Sequence, residues 1–236
     1  MILTRTCQRL ERAILSAIRT ILFDLDGTLL DTYEMILVSM RYTINEVEGK
    51  NHTDEELMAG VGTPLYDQML DFTNGDTVRA EELVTIYRAY NDAIHDERVG
   101  AFPGTREALE KLADAGYRMG VVTSKRHWLA ERGLEKTGIA SFFDILIGAD
   151  DWPDSKPKPG PILHACELLD CSPEECVYIG DSPFDMQAAN AAGCTSVAAL
   201  WGMFPAETLV ACKPNLSYSS LEEFVRELVL GGITTQ

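Results

Sequence analysis

The sequence predicts an α/β protein, built as a three-layer parallel sheet core with a helical segment inserted into it. Three observations support this prediction. Short apolar runs alternate with helical patterns through the second half of the chain, as expected for parallel strands joined by right-handed crossovers. The runs are apolar on both faces, as in strands that are covered by helices on both sides. The alternation is interrupted after the first strand by residues 32–102, whose pattern is helical.

The core elements follow one another in a regular order. Predicted strands cover residues 20–24, 117–124, 142–150, 176–181 and 194–200. Predicted helices cover residues 103–116, 128–138, 160–170, 184–193 and 221–230. The first of these helices follows a Pro-Gly-Thr turn and is stopped by Gly116. The last begins with a capping-box pattern, either Ser219 to Glu222 or Ser220 to Glu223.

The insertion divides the chain into predicted parts. These are an N-terminal extension, an α/β core in two segments and a helical domain, at residues 1–19, 20–31 with 103–236, and 32–102. The clearest helix of the insertion covers residues 81–97. In the extension, Leu10, Ile14 and Ile18 recur every four residues, which indicates an amphipathic helix. We interpret the extension as a segment that packs on the body or frays, and an Arg-rich targeting peptide is the alternative.

The overall charge excludes several kinds of partner. The 236 residues carry a net charge of −17, and such a surface should repel nucleic acid and anionic membranes. No apolar run approaches the roughly 18 residues needed to span a bilayer. We therefore expect a cytoplasmic protein with no nucleic-acid or membrane partner, and no protein partner is implied. An anionic substrate would need local help from a metal ion or from specific Lys and Arg side chains.

The cysteines have no recognisable pairing pattern. There are six, and none forms a C-x-x-C pair or has zinc-finger spacing: Cys7, Cys166, Cys171, Cys176, Cys194 and Cys212. We interpret them as free thiols in a reducing cytoplasm, mostly buried in the core.

Polar side chains gather where the predicted strands end. In open α/β sheets, ligands bind outside the carboxyl ends of the strands, so residues at these ends are candidates for a site. In chain order they are Asp24, Asp26, Thr123, Ser124, Lys125, Lys156, Lys158, Asp181 and Asp185. The four acids, at least one of the hydroxyls and at least one of the lysines are therefore predicted to converge on one edge of the sheet.

Carboxylates packed together without a cation would repel one another and take up protons. A divalent cation removes that repulsion, and oxygen ligands without nearby His or Cys favour Mg²⁺ over zinc. Mg²⁺ usually binds through one or two carboxylates together with a phosphate oxygen. The sequence therefore predicts a Mg²⁺ site that faces an anionic ligand.

Phosphoryl transfer is chemistry that such a site can perform. It depends mainly on positioning and on positive charge near the transferred group, which Mg²⁺, Lys156 and the Thr123 hydroxyl would supply. An aspartate can act as the nucleophile and form an aspartyl-phosphate. A second carboxylate two residues further on can protonate the leaving group and later accept a proton from water.

The sequence resembles the haloacid dehalogenase-like superfamily of hydrolases. Four motifs in order carry the resemblance: D-L-D-G-T at 24–28, an apolar strand ending in Thr123, Lys156 opening K-P-K-P, and G-D-S-x-x-D at 180–185. It covers essentially everything after residue 19. The resemblance implies a Rossmann-like core with an inserted α-helical cap domain.

The resemblance implies catalytic roles for four residues. Asp24 is similar to the family's nucleophile, and Asp26 to its general acid and base. Thr123 matches the hydrogen-bond donor to the phosphate, with Ser124 as the alternative donor. Lys156, rather than its neighbour in the loop, matches the lysine that neutralises the nucleophile and binds the phosphate.

The resemblance also implies a Mg²⁺ cofactor and the residues that hold it. Asp24 would bind the ion through its carboxylate and Asp26 through its backbone carbonyl. Asp181 resembles the direct carboxylate ligand, and Asp185 would support the ion through water or through a hydrogen bond.

The insertion resembles the cap that closes over the site in one branch of the superfamily and sets substrate choice. Gly62 and Thr63 form a turn between its helices, and we expect that turn either to reach the substrate or to be a simple connection. Arg41, His95 and Arg126 are further candidates to bind a substrate carboxylate.

The expected reaction is hydrolysis of a small phosphorylated metabolite. Dehalogenase members of the superfamily lack an acid at the position of Asp26, and this chain has one. The resemblance is greatest to phosphoglycolate phosphatases and to a related pyrophosphatase, which is the main alternative. A hexose-phosphate mutase is another, and a phospho-aspartate signalling receiver belongs to a different class. The receiver is disfavoured because it takes its phosphoryl acceptor from a middle strand and has no helical insertion.

Overall fold

The computed structural model describes residues 14–232. It contains a parallel sheet of six strands in the order β3-β2-β1-β4-β5-β6. The strands are β1 (Thr20–Phe23), β2 (Arg118–Val122), β3 (Ile145–Ile147), β4 (Cys176–Gly180), β5 (Thr195–Ala199) and β6 (Leu216–Tyr218). Phe23, the last residue of β1, pairs with Val121 of β2 and with Ile179 of β4. Because of this register, the three central strands end at nearly the same level.

Helices cover both faces of the sheet. In chain order those of the core are α5 (Thr105–Asp114), α6 (His127–Lys136), α7 (Gly160–Leu168), α8 (Pro183–Ala192), α9 (Ala206–Ala211) and α10 (Leu221–Gly232). Successive residues of β1 point to opposite faces, as the pleat of a strand requires. Phe23 belongs to a buried cluster with Leu109 of α5, whereas Leu22 belongs to a second cluster with Ile162 of α7. The three-layer α/β fold predicted from the sequence is confirmed.

Three core elements differ from the sequence prediction. Strand β6 and helix α9 were not predicted, because a three-residue edge strand and a six-residue helix are too short to show a period. Of the predicted strand at 142–150, only β3 is a strand, and Phe142 belongs instead to a 3₁₀ turn, Ala140–Phe142. Strand β3 ends before Gly148, where a Cβ atom would lie only 2.4 Å from the backbone nitrogen of His127.

The insertion between β1 and α5 is helical, as predicted. Its elements are α1 (Tyr33–Met40), a π-helical stretch (Arg41–Val47), α2 (Asp54–Met58), α3 (Leu65–Phe72) and α4 (Thr77–Arg98). They share a buried apolar cluster of their own, which includes Met40, Leu57, Met69 and Leu83. We therefore propose that this segment is a separate folding unit.

The chain leaves the core and returns to it at adjacent points. The Asp31 backbone N–H donates to the Gly100 carbonyl at 2.9 Å, and the Phe102 N–H donates to the Leu29 carbonyl at 3.1 Å. The two connections therefore run side by side. This arrangement supports the division at residues 31 and 102 that we propose.

The described part of the N-terminal extension packs on the core. Residues 14–17 are helical, and the side chains of Leu15 and Ile18 are buried in the same cluster as Phe23. Of the predicted stripe, Ile18 is in this cluster and Ile14 packs against it, whereas Leu10 lies outside the described residues. Among residues 14–232, no helix combines the length and the apolar character that a bilayer crossing requires.

Candidate active site

Three polar residues extend directly from the ends of the central strands. Asp24 follows β1, Thr123 follows β2 and Asp181 follows β4. Asp185 lies in the first turn of α8, and Lys156 lies in the loop before α7. All five are buried, so the sheet brings together at one edge residues that are far apart in the sequence.

Lys156 is the central cation of this group. Its Nζ atom lies 3.0 Å from Oδ1 of Asp24 and 2.6 Å from Oδ1 of Asp185. It also donates to the hydroxyl of Tyr178 at 3.1 Å, and that hydroxyl donates to the Val122 carbonyl at 2.8 Å. Burial by itself would lower the pKa of Lys156, but the charges of Asp185 and Asp24 outweigh it and raise that pKa. The ammonium group is therefore charged at neutral pH.

The negative charge at this edge exceeds what Lys156 balances. Burial raises the pKa of Asp24 to about 7, because the opposing effect of Lys156 is smaller and Asp185 adds repulsion. Burial also raises the pKa of Asp181 well above its ordinary value, and Asp185 and Asp24 raise it further. Carboxylate oxygens of the three aspartates lie within 4.8 Å of one another.

A divalent cation fits this group of oxygens. Oδ1 of Asp24 is buried, and the ammonium group of Lys156 lies 3.0 Å from it. Lys156 is shared with Asp185, so one ammonium group faces two buried carboxylates, and the uncompensated negative charge is costly unless a further cation binds there. The three aspartates supply oxygen alone, which suits a hard ion such as Mg²⁺.

Asp181 is held rigidly at the end of β4. Its Oδ1 accepts from the Thr28 hydroxyl at 3.2 Å, and its Oδ2 accepts from the Met203 backbone N–H at 2.7 Å. Two glycines make room for its carboxylate, since Cβ atoms on Gly27 and Gly202 would lie 2.2 and 2.1 Å from Asp181 atoms. These contacts orient the side chain before any ligand binds.

Asp185 is occupied by contacts within the protein. Its Oδ2 accepts from the backbone N–H and the hydroxyl of Ser182, at 3.0 and 2.6 Å, which form the capping box of α8. Its Oδ1 accepts from Lys156. Unlike Asp181, Asp185 is already paired with an ammonium group, at 2.6 Å, which favours an indirect role over direct ligation of an ion.

Asp26 has a partner that the sequence reasoning did not assign. Lys125 places its Nζ 2.8 Å from Oδ1 and 3.2 Å from Oδ2 of Asp26, and the Thr32 hydroxyl donates to Oδ1 at 2.9 Å. The side chains of Asp26 and Lys125 are 17% and 8% exposed. The position of Lys125 directly after the end of β2 was the only signal in the sequence.

A cavity of about 500 Å³ lies between the strand ends and the insertion. The core contributes Asp24, Asp26, Thr123, Ser124 and Asp181 to its wall. The insertion contributes Gly62, Thr63, Leu65, Gln68 and Arg88. Lys156 and Asp185 lie behind this wall, and Lys156 borders a small crevice next to Thr123.

The 61–63 turn contacts the core directly. The Ser124 hydroxyl donates to the Gly62 carbonyl at 2.7 Å. Gly62 has a φ of +100°, and a Cβ atom there would lie 2.9 Å from the Ser182 hydroxyl oxygen. The Thr63 hydroxyl donates to the Gly60 carbonyl at 2.7 Å, so this side chain stabilises the turn itself.

The three weaker candidates for binding a carboxylate lie in different places. Arg41 forms an ion pair with Asp54 at 2.6 Å on the surface of the insertion. His95 is fully buried in α4, with Nδ1 2.9 Å from Asp96, and burial lowers its pKa. Arg126 lines the cavity, 3.4 Å from Asp92. The structure thus brings only Arg126 of these three to the cavity.

Arg88 is a further cation of the cavity wall, beside Arg126 and Lys125, and the sequence reasoning missed it. It lies in the middle of the long helix α4. The helical period of the sequence predicts which face of this helix is buried, but it does not predict which residues lie near a distant strand end. Burial lowers the pKa of Arg88, and the like charge of Arg126 lowers it further. The charges of Asp92 and Asp150 act in the opposite direction but are smaller effects. Two arginines therefore line the same cavity.

The fold and this buried polar group define an α/β enzyme, and sequence comparison gives its class as a hydrolase. The sequence matches the haloacid dehalogenase-like hydrolase family over residues 21–199, and the chain belongs to that family. The resemblance inferred from the four motifs is confirmed.

Similar proteins of known sequence include pyrophosphatases. The chain is 34% identical to the pyrophosphatase PpaX of Bacillus velezensis over 208 residues, which cover 88% of this chain and 95% of that protein. It is 35% identical to the PpaX of Bacillus mycoides over the same length and coverage.

Solved structures in the same family share the fold. A haloacid dehalogenase-like hydrolase of Streptococcus pneumoniae has a TM-score of 0.79 and 28% identity, with coverage of 89% of this chain and 98% of that one. A Lactobacillus plantarum protein, whose description as a phosphoglycolate phosphatase is itself provisional, has a TM-score of 0.80 and 26% identity, with coverage of 89% and 99%.

Proposed function

We propose that this chain is a Mg²⁺-dependent phosphohydrolase that passes a phosphoryl group from a small anionic substrate to Asp24 and then to water. The observation that carries the proposal is the buried carboxylate of Asp24, which lines the cavity and is paired with Lys156 at 3.0 Å. A nucleophile needs an available lone pair at the substrate, and a carboxylate has two oxygens, so one can attack while the other faces the cations.

The residues proposed to hold Mg²⁺ are Asp24, Asp181 and the backbone carbonyl of Asp26. When bound, the ion would supply positive charge for the oxygens of the transferred group. Asp185 would act by positioning Lys156 and the start of α8, because it is already paired with the Lys156 ammonium group and bound to the Ser182 hydroxyl. Lys156 holds the Asp24 carboxylate in place and keeps positive charge next to it.

Thr123 and Asp26 are proposed to act on the substrate from the cavity side. The Thr123 hydroxyl oxygen accepts the Lys125 backbone N–H at 3.2 Å, so its hydrogen can be donated to a phosphate oxygen. Asp26 would give a proton to the leaving group in the first step and accept one from water in the second. Lys125 and Thr32 fix the orientation of its carboxylate for both steps.

The inserted helices are proposed to act as a cap over this cavity. The Ser124–Gly62 hydrogen bond and the adjacent connections at residues 31 and 100–102 support a unit that can dock on the core and move away from it. Closure would exclude water from the phosphoryl group before transfer. The free thiols of the described cysteines support the expectation of a reducing cytoplasm.

Inorganic pyrophosphate is the first substrate to test, and 2-phosphoglycolate is the second. Both carry a second anionic group beyond the phosphoryl group that is transferred, and Arg88 and Arg126 offer a place for it. The PpaX relatives favour the first substrate. The Lactobacillus plantarum structure favours the second.

Removal of the metal is expected to abolish phosphate release from every active substrate. Protein treated with EDTA and then dialysed would be assayed with pyrophosphate, 2-phosphoglycolate, hexose phosphates and p-nitrophenyl phosphate. We expect no release above background, and full recovery when Mg²⁺ is added back. Release that persists in the stripped protein, or no release from any substrate with Mg²⁺ present, would contradict the proposed function.

Replacement of Arg88 by Ala is expected to weaken binding of the second anionic group. The KM for the preferred substrate should rise by about 10-fold or more, because a charge-assisted hydrogen bond is lost. The kcat/KM for p-nitrophenyl phosphate, whose leaving group has no second anion, should change much less. Arg98→Ala is the matched control, since Arg98 is exposed at the end of the same helix and lies outside the cavity wall. Equal effects on both substrates would contradict this role.

A further inference from the structure

Four of the six cysteines meet at one place in the core. The Sγ atoms of Cys166, Cys176 and Cys194 lie within 4.8 Å of one another, and all three residues are buried. Cys171 packs against the same cluster and is partly exposed, and its thiol interacts electrostatically with those of Cys166 and Cys176. The spacing of these cysteines along the chain does not predict their convergence.

The four residues come from different segments, and backbone contacts hold these segments next to one another. Cys166 lies in α7, and the Cys171 N–H donates to its carbonyl at 3.0 Å just after that helix ends. Cys176 begins β4, where it pairs with Thr20 of β1. The Cys194 N–H donates to the Ala189 carbonyl at 3.1 Å between α8 and β5.

This cysteine cluster is remote from the candidate active site. Cys176 is the first residue of β4, whereas Asp181 follows its last residue, so the two lie at opposite ends of the strand. Five residues of strand separate them by roughly 17 Å. The cluster therefore has no part in holding the ion or the substrate at the other end of the sheet.

Burial of a thiol as a small apolar group is the ordinary explanation for a lone core cysteine. It does not explain why three thiols should lie within 4.8 Å of one another with a fourth cysteine packed against them. Four sulfurs around a tetrahedral zinc ion, each with a Zn–S bond of about 2.3 Å, are separated by about 3.8 Å. Small side-chain rotations bring Cys166, Cys176 and Cys194 to this separation, and rotation of the partly exposed Cys171 side chain would add the fourth sulfur.

We propose that Cys166, Cys171, Cys176 and Cys194 form a thiolate metal site, with Zn²⁺ as its ion. Sulfur-only coordination selects a soft or borderline cation and disfavours Mg²⁺. A site with four protein ligands is closed to substrate, which makes it structural. The partly exposed Cys171 provides the route by which the ion enters. The bound ion would link the end of α7, the start of β4 and the turn before β5.

The test uses the full chain, purified in reductant without a metal-affinity tag and stripped with a chelator. Mg²⁺ is kept in excess to saturate oxygen ligands, and Co²⁺ is then titrated as a spectroscopic probe. We expect one equivalent of Co²⁺ to produce the strong near-ultraviolet thiolate-to-cobalt absorption, and one equivalent of Zn²⁺ to remove it. Zn²⁺ should also raise the melting temperature, because an ion that binds the folded state stabilises it.

The matched pair of variants is Cys171→Ser and Cys212→Ser, both in a Cys7→Ser background. Cys171 is the least buried member of the cluster, so its replacement leaves the apolar core in place. Cys212 is also partly buried but is hydrogen-bonded to Thr208, outside the cluster. We expect the first variant to weaken Co²⁺ binding by at least about tenfold, through loss of one ligand, and the second to leave it unchanged.

Three results would overturn the proposal: no thiolate absorption at one equivalent, equal absorption in both variants, or a disulfide among the four cysteines in the freshly isolated protein. None of them bears on phosphate release, because carboxylate ligands at the other end of the sheet give no thiolate absorption. A failure of the metal site and a failure of the proposed hydrolase function are therefore distinguished.

Discussion

Asp24→Asn should reduce phosphate release by at least about 10³-fold, since an amide cannot accept the phosphoryl group. The variant should still fold. Burial raises the pKa of Asp24 to about 7, so the ionised carboxylate is unfavourable in the metal-free protein. The pKa of Asp24 in the folded protein lies above its ordinary value of 3.8. The stabilisation that this carboxyl group gives the folded state is therefore fully present below pH 3.8 and is lost as the pH rises through about 7. Asn has no such dependence.

Steady-state kinetics with Mg²⁺ and thermal unfolding of the metal-free protein at pH 8 check the two parts of this prediction. The melting temperature of Asp24→Asn should equal or exceed that of the unsubstituted chain. Asp114→Asn is the control, because Asp114 is exposed at the end of α5 and far from the cavity. Turnover within tenfold of the unsubstituted chain would refute Asp24 as nucleophile.

Lys156→Met is expected to lower both activity and stability. Lys156 is 2% exposed and lies between two buried carboxylates, which would be left without their cation. Removal of one partner of a buried ion pair costs about 3–5 kcal/mol of unfolding free energy. The kcat should fall by about 10²–10³-fold, as for loss of a group that stabilises charge in the transition state. Denaturant unfolding and initial-rate kinetics measure the two effects.

The adjacent lysine provides a matched control for this substitution. Lys158 occupies the equivalent position in the second Lys-Pro pair, but it is exposed and pairs with Asp154 on the surface. Lys158→Met should therefore change neither quantity appreciably. The double variant Lys156→Met with Asp185→Asn should regain part of the lost stability but none of the lost activity. If it regains none, uncompensated charge is not the cause of the loss.

The sequence was informative where a strand end determined the position of a side chain. Asp24, Thr123 and Asp181 were expected to meet because parallel strands end at the same edge of a sheet, and the register of β1 with its neighbours brings them there. The three-layer core and the helical insertion were predicted from long periodic segments, and the family from four motifs at or just after the strand ends. Short elements such as β6 were missed.

Side-chain contacts between distant segments could not be predicted. The ion pair of Lys125 with Asp26 depends on the direction in which a side chain leaves the loop after β2. The approach of Arg88 to the cavity depends on the rotation of α4 about its own axis, and a helical period does not determine that angle relative to another unit. The convergence of the cysteines depends on how two helices end.

The separate apolar cluster of the insertion has a consequence for how this scaffold diversifies. Leu65, Gln68 and Arg88 form one side of the cavity, yet the helices that carry them are stabilised by Met69, Leu83 and their neighbours rather than by the sheet. Mutations at these three positions can alter which molecule is accepted without disturbing Asp24 or the sheet that orients it. Relatives with the same strand-end residues can therefore evolve different substrate preferences through changes confined to a few helical positions.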